Sequence, residues 1–150
     1  MSRKAVFPYA TTRAVGRDCL CLRIQRASRT IGRRFDEALR PVGLNNWQFT
    51  LLVMINRPSP LTVNELAAEL GTERTTTTKN LRPLERRGLL EIRHDEKDAR
   101  VRRIVLTASG HGVLAEALPN WQAANDAVAA SLKDRTLACL RSALDTIACS

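Results

Sequence analysis

Arg74, Thr75, Thr76, Thr78, Lys79 and Arg82 crowd into one short stretch of the chain, and each carries a side chain suited to a polyanion. On a helical wheel at about 100° per residue, Leu81 and Leu84 fall within about 40° of Thr77, with Thr75, Lys79, Arg82 and Arg86 nearly opposite. One face is apolar and the other cationic. Arginine and lysine suit the acceptor edge of guanine, while threonine offers a hydroxyl together with a methyl that can meet thymine. The first two turns of such a helix are the part that reaches base edges in a DNA major groove. An ordinary solvated face is the other reading. Four consecutive threonines at positions 75 to 78 count against it, because β-branched residues are poor helix formers.

A second cluster follows. Arg93, Lys97, Arg100, Arg102 and Arg103 surround a segment that also holds Asp95, Glu96 and Asp98. Arg100 is the natural probe of a narrow minor groove, whose negative potential draws a guanidinium, with Asp98 fixing its direction. Here the alternative is a solvated hairpin whose charges pair with one another.

These residues need a scaffold, and the hydrophobic periods predict one. Leu20, Ile24, Ala27, Ile31, Phe35 and Ala38 draw a helical stripe from Asp18 to Leu39, which Pro41 and Gly43 end. Asn45 or Asn46 caps a second helix over Trp47 to Ile55, apolar enough to be buried. Thr62-Val63-Asn64-Glu65 has the capping-box form, and Gly71 closes the short helix that follows. Thr72 is placed to cap the cationic helix, giving two helices joined by a tight turn. Pro83 lies inside that helix, where a slight bend is expected. Period-two runs over 90 to 93 and 101 to 106 predict a β-hairpin with a long polar loop. Helices over about 107 to 132 and 133 to 148 close the chain, the first kinked or interrupted at Pro119. The fold class is therefore mainly α with a small β-hairpin wing. A basic arm over 1–17 precedes one domain over 18–150, in which a winged helix-turn-helix spans about 45–106 and outer helices about 18–40 and 107–148.

Of 150 residues, 24 are Lys or Arg and 15 Asp or Glu, so the net charge of +9 points to a polyanionic partner, nucleic acid or anionic lipid. The first dozen or so residues are expected to be disordered. The basic N-terminus lacks the apolar run of a secretory signal and no stretch is long enough to span a bilayer, so a cytoplasmic protein without a membrane partner is expected. Two histidines, no recognisable acid pair and no glycine-rich phosphate loop leave nothing to build a catalytic site or hold a cofactor. Cys19, Cys21, Cys139 and Cys149 are too few and too poorly spaced for a disulfide scaffold or structural zinc, and no metal site is expected.

The run LTVNELAAELGTERTTTTKNLRPLERRGLLEI at 61 to 92, with DARVRRIVLT at 98 to 107, resembles the MarR family of bacterial transcription regulators, and the likeness extends from about Asp18 to Ala148. Asp98-x-Arg100 and Leu106-Thr107 are the matching parts of that family's wing signature. The resemblance implies a homodimer whose first and last helices interlock, placing two winged lobes on consecutive major grooves of a pseudo-palindromic double-stranded DNA operator. It implies a repressor released by a small phenolic or other lipophilic effector. The family's cleft between dimerisation helices and lobe makes Arg29, Phe35, Trp47 and His111 the pocket candidates here. Against them stands the plain reading of aromatics as core.

The first helix also resembles the branch of the family that senses organic hydroperoxides, since Cys21 precedes Ser28-Arg29 by seven residues and Phe35 by fourteen. That branch holds its thiolate with tyrosine hydroxyls, whereas Gln25 and Phe35 stand here, and phenylalanine offers no hydrogen bond. Cys139 or Cys149 would be the resolving thiol. Otherwise the cysteines are small buried hydrophobes. A nonspecific architectural or RNA-binding winged-helix protein is the alternative that the net charge allows.

Overall fold

The computed structural model describes residues 6–148 apart from 96 and 133. Three cap motifs set the starts of the lobe's helices. Asn45 and Gln48 form a reciprocal capping box for α3 (Asn46–Ile55), and Thr62 and Glu65 form another for α4 (Val63–Glu69). Thr107 caps α6 (Ala108–Ala130) by accepting a hydrogen bond from the Gly110 amide. Between α4 and α5 (Arg74–Arg86) the chain turns at Gly71, whose φ of 61° is a left-handed value that glycine adopts freely. Strands β1 (Leu90–His94) and β2 (Arg102–Leu106) pair antiparallel from Leu90 opposite Leu106 to His94 opposite Arg102. The expected winged helix-turn-helix is present.

The core is aliphatic. Leu39, Leu51, Leu52, Leu66, Leu81, Leu84, Leu90 and Ile104 are fully buried, so helices α2 (Leu20–Leu39), α3, α4 and α5 and both strands contribute to one cluster. Each such side chain contributes about 1.5–3 kcal/mol by leaving water. Helix α2 leaves the lobe and lies along α6, while α7 (Asp134–Ala148) extends beyond it.

The N-terminal region differs from the sequence expectation. Tyr9–Asp18, placed up to residue 17 in an arm whose first dozen or so residues were expected to be disordered, forms helix α1, and Cys19 in an extended conformation separates it from α2. Helix α1 buries none of its residues, which is why a search for an apolar stripe missed it, and the Arg23 guanidinium donates to its Arg17 carbonyl. Thr72 does not cap α5. Glu73 occupies the cap position, and the Thr72 hydroxyl lies 2.8 Å from Thr77 Oγ1, whose own proton goes to the Glu73 carbonyl at 3.1 Å. The buried Thr77 hydroxyl needs partners more than the exposed helix end does. Helix α5 continues through Pro83, and α6 through Pro119 without the interruption that residue suggested.

Gly110 decides how closely α6 approaches the wing. A Cβ built there would lie 2.0 Å from the Leu89 carbonyl oxygen, a backbone atom that cannot move aside. Replacing Gly110 with Ala should therefore destabilise the fold by at least about 2 kcal/mol in urea unfolding. Gly112→Ala, on the same helix with nothing within 4 Å, should be neutral or stabilising.

Candidate nucleic-acid interface

The buried side of α5 is Thr77, Leu81 and Leu84, and this fixes what the helix turns outward. Arg74, Thr75, Thr76, Thr78, Lys79 and Arg82 together line a shallow surface depression on the outer face. The four threonines divide in function. Thr77 is core, Thr78 turns its hydroxyl back to the Arg74 carbonyl at 2.8 Å, and Thr75 and Thr76 are exposed. Two of the four are thus explained by folding, and only Thr75 and Thr76 present free hydroxyls outward.

A second cleft opens where α4, α5 and the wing converge, lined by Thr62, Val63, Asn64, Arg74, Thr78, Ile92, Arg100, Val101 and Arg102. It joins the α5 face to the wing in one concave basic surface. Asn64 was not singled out from the sequence. Its signal was its place in the capping box, one residue into α4, where an exposed amide faces the same side as Arg74.

The wing tip is built by its own acids. Asp95 Oδ1 accepts from the Lys97 amide at 2.8 Å and the Asp98 amide at 3.2 Å, and Asp98 Oδ1 accepts from the Arg100 amide at 2.9 Å. Asp98 therefore directs Arg100 through the backbone and leaves the guanidinium free. His94 Nδ1 lies 2.6 Å from the Ala99 carbonyl and closes the other side of the loop. The Arg103 guanidinium, then the Lys97 and Asp98 amides, hold the Asp95 carboxyl below the usual carboxylate range. A lowered pKa means the stabilisation is complete at neutral pH and lost only as pH falls through the folded value.

Charge pairing separates the two readings of these cations. Arg93 pairs with Glu91 at 2.7 Å, Arg57 with Glu69 at 2.8 Å, and Arg103 with Asp95. Among the described residues, Arg74, Lys79, Arg82, Arg100 and Arg102 have no ion pair. The cations of the concave face thus carry charge that no acid of the lobe neutralises.

Comparisons with known proteins agree with this geometry. The MarR family model matches residues 42–101, which run from the start of α3 to the wing. The structure of the Mycobacterium tuberculosis transcriptional regulator MosR in complex with DNA is 41% identical, covers 87% of this chain and 98% of that one, and superposes with a TM-score of 0.72. The chain belongs to the MarR family.

Within the MarR family, the Escherichia coli K12 transcriptional repressor MprA is 32% identical over 120 residues, 79% of this chain and 65% of MprA. The chain thus spans 65% of the length of this curated relative. The transcriptional repressor CouR of Rhodococcus jostii, bound to a 23-mer DNA duplex, is 27% identical, with a TM-score of 0.82 over 89% of this chain and 95% of that one.

The remaining sequence candidates are spread over the MarR fold. Phe35 is 8% exposed and belongs to the core, Trp47 is half-buried against it with its Nε1 buried and without a partner, and Arg29 and His111 are exposed. A separate apolar cleft of ≈ 310 Å³ is lined by Asn46, Phe49, Thr50, Val53, Met54, Leu118 and Trp121, with Phe49 and Trp121 stacked at 6.2 Å. Helix α3 is apolar on nearly every side, so its period did not separate Val53, exposed on the cleft, from Leu51 in the core. Cys21 and Cys139 are exposed, Cys19 caps α2 by accepting from the Leu22 amide, and Cys149 lies outside the described residues.

Lys79→Ala and Arg100→Ala should each weaken duplex binding, and each lost phosphate contact should flatten the slope of log affinity against log salt by about one unit. Fluorescence anisotropy over a salt series reads both effects.

Proposed function

We propose that this protein is a homodimeric, sequence-specific double-stranded DNA-binding transcription regulator, a cytoplasmic repressor without catalytic activity. The observation that carries this reading is the unpaired cationic surface of Arg74, Lys79, Arg82, Arg100 and Arg102 on a MarR-family lobe. The DNA complexes of MosR and CouR support carrying duplex binding over to this chain. Homodimerisation is supported by apolar side chains that the protomer leaves uncovered: Leu20 is 70% exposed on α2, and Leu140 and Leu144 are 41% and 44% exposed on α7. Among the described residues no helix is long and apolar enough to cross a membrane.

Footprinting on DNA flanking the protein's own gene tests the reading. A protected pseudo-palindrome with half-sites about one helical turn apart is expected. No protected site with purified dimer at low salt would sink it, and equal affinity for random duplex would favour the nonspecific architectural alternative.

For the signal, a lipophilic effector is the leading reading, and the Phe49–Trp121 cleft is the surface that suits it. None of the four sequence candidates lines this cleft in the protomer: Phe35 and Trp47 pack in or against the core, and Arg29 and His111 are exposed and would reach an effector only from the dimer side. A specific contact favours the thiol alternative: the Gln25 amide donates to Cys21 Sγ at 3.3 Å, supplying the hydrogen bond that Phe35 lacks. An organic hydroperoxide added to the DNA complex should leave it intact if a ligand is the signal. Release from the wild type but not from Cys21→Ser would assign the signal to the thiol, with Cys139 or Cys149 to be tested next.

A further inference from the structure

Arg103 lies on the wing but turns away from the concave basic surface. Its side chain is 33% exposed, and that of Asp95, to which its Nε donates, is 16% exposed. Its Nη1 donates to the Pro60 carbonyl at 2.8 Å, and Glu65 Oε2 stands 3.8 Å from the same nitrogen. The backbone repeats the connection: Thr62 bridges to Arg103, and the Ile104 amide donates to the Leu61 carbonyl at 2.8 Å. One guanidinium therefore touches the wing tip, the turn before α4 and the capping box of α4.

From Arg103 a line of bonds runs to Arg100 in the wing loop. Asp95 holds the Lys97 and Asp98 amides, and Asp98 holds the Arg100 amide. In the other direction Glu65 Oε2 accepts from the Thr62 amide at 2.7 Å and so belongs to the start of α4, which the Gly71 turn connects to α5.

We propose that Arg103 is a positioning residue for DNA recognition, fixing the wing tip relative to α4 and α5 so that Arg100 and the α5 face meet their grooves together. The inference rests on the DNA-binding reading above. A two-stranded hairpin with a long polar loop has little intrinsic stability, and its direction must come from an anchor at its base. Without one, each binding event would lose free energy in ordering the loop. Arginine suits the place because its planar fork reaches acceptors in separate directions at once, which a lysine ammonium on a flexible stem does not. Being paired and turned inward, Arg103 leaves phosphate contact to its neighbours Arg100 and Arg102.

The test compares wild type, Arg103→Ala, Arg103→Lys, Asp95→Asn and Arg100→Ala on the footprinted operator. Arg103→Ala should bind roughly tenfold more weakly, the scale of a lost charge-assisted network, with the salt slope of the wild type because no phosphate contact is removed. Arg100→Ala should flatten that slope. Hydroxyl-radical protection in the minor groove beneath the wing should fade in Arg103→Ala, while methylation protection of guanine N7 beneath α5 persists. Arg103→Lys should restore little, and combining Asp95→Asn with Arg103→Ala should cost scarcely more than either alone. If Arg103→Ala fails to fold, Asp95→Asn carries the same comparison. Wild-type affinity in Arg103→Ala, a flattened slope, or equal loss of both protections would overturn the positioning role while leaving operator binding by the wild type intact. Absence of operator binding by the wild type would overturn the DNA-binding reading itself, and the positioning role with it.

Discussion

The burial of one face of α5 governs the rest of the structure. Leu81 and Leu84 are fully enclosed, against α3, α4 and β1, and Thr77 joins them only because its hydroxyl finds Thr72 and the Glu73 carbonyl. A buried hydroxyl without partners would cost more than the helix gains from one more packed position. With that face committed, the helix cannot rotate, and the opposite face must carry Arg74, Thr75, Lys79 and Arg82 to solvent. Packing thus dictates the electrostatics of the surface.

The wing follows a different rule. Ile104 is buried and Ile92 packs beside it, but beyond them the hairpin has no core to lean on, and polar bonds take over. Here the acids do two jobs. Asp95 and Asp98 fold the loop by accepting backbone amides, and Asp95 also neutralises the one wing arginine that points inward. The formal charge of the hairpin therefore understates how cationic its exposed rim is. A reading based on net charge alone would have called Asp95 an obstacle to an anionic partner, whereas its carboxylate is already paired with Arg103.

Much of this was legible in the sequence because the signals were local. The capping box of α4, the asparagine cap of α3, the apolar side of α5, the glycine turn at Gly71 and the hairpin periods each follow from residues within a few positions of one another. What escaped detection depended on distance. The pairing of Arg103 with Asp95 and the Pro60 carbonyl crosses from the wing to the turn before α4, and nothing in the run Arg102-Arg103 says which arginine turns inward until the strand register is known. Helix α1 escaped for a different reason, burying none of its residues and so showing no apolar stripe. The apolar cleft escaped because α3 is hydrophobic on nearly every side, so only its neighbours on α6 distinguish the cleft side from the core side.

The lobe's connection to the outer helices constrains how any signal can act. Thr107 caps α6 and also donates to the Gly88 carbonyl at 2.6 Å, and Gly110 brings α6 against the Leu89 carbonyl with no room for a methyl group. The start of α6 is therefore rigidly fixed to the end of α5 through the Gly88-Leu89 turn. In the proposed dimer the uncovered apolar faces of α2 and α7 join two protomers, and α6 transmits their separation to the lobes. A ligand in the Phe49–Trp121 cleft lies between α3 and α6, so it needs no contact with Lys79 or Arg100 to act. In the proposed dimer a change in the angle of α6 would carry the lobe with it and alter the spacing of the two lobes on consecutive grooves.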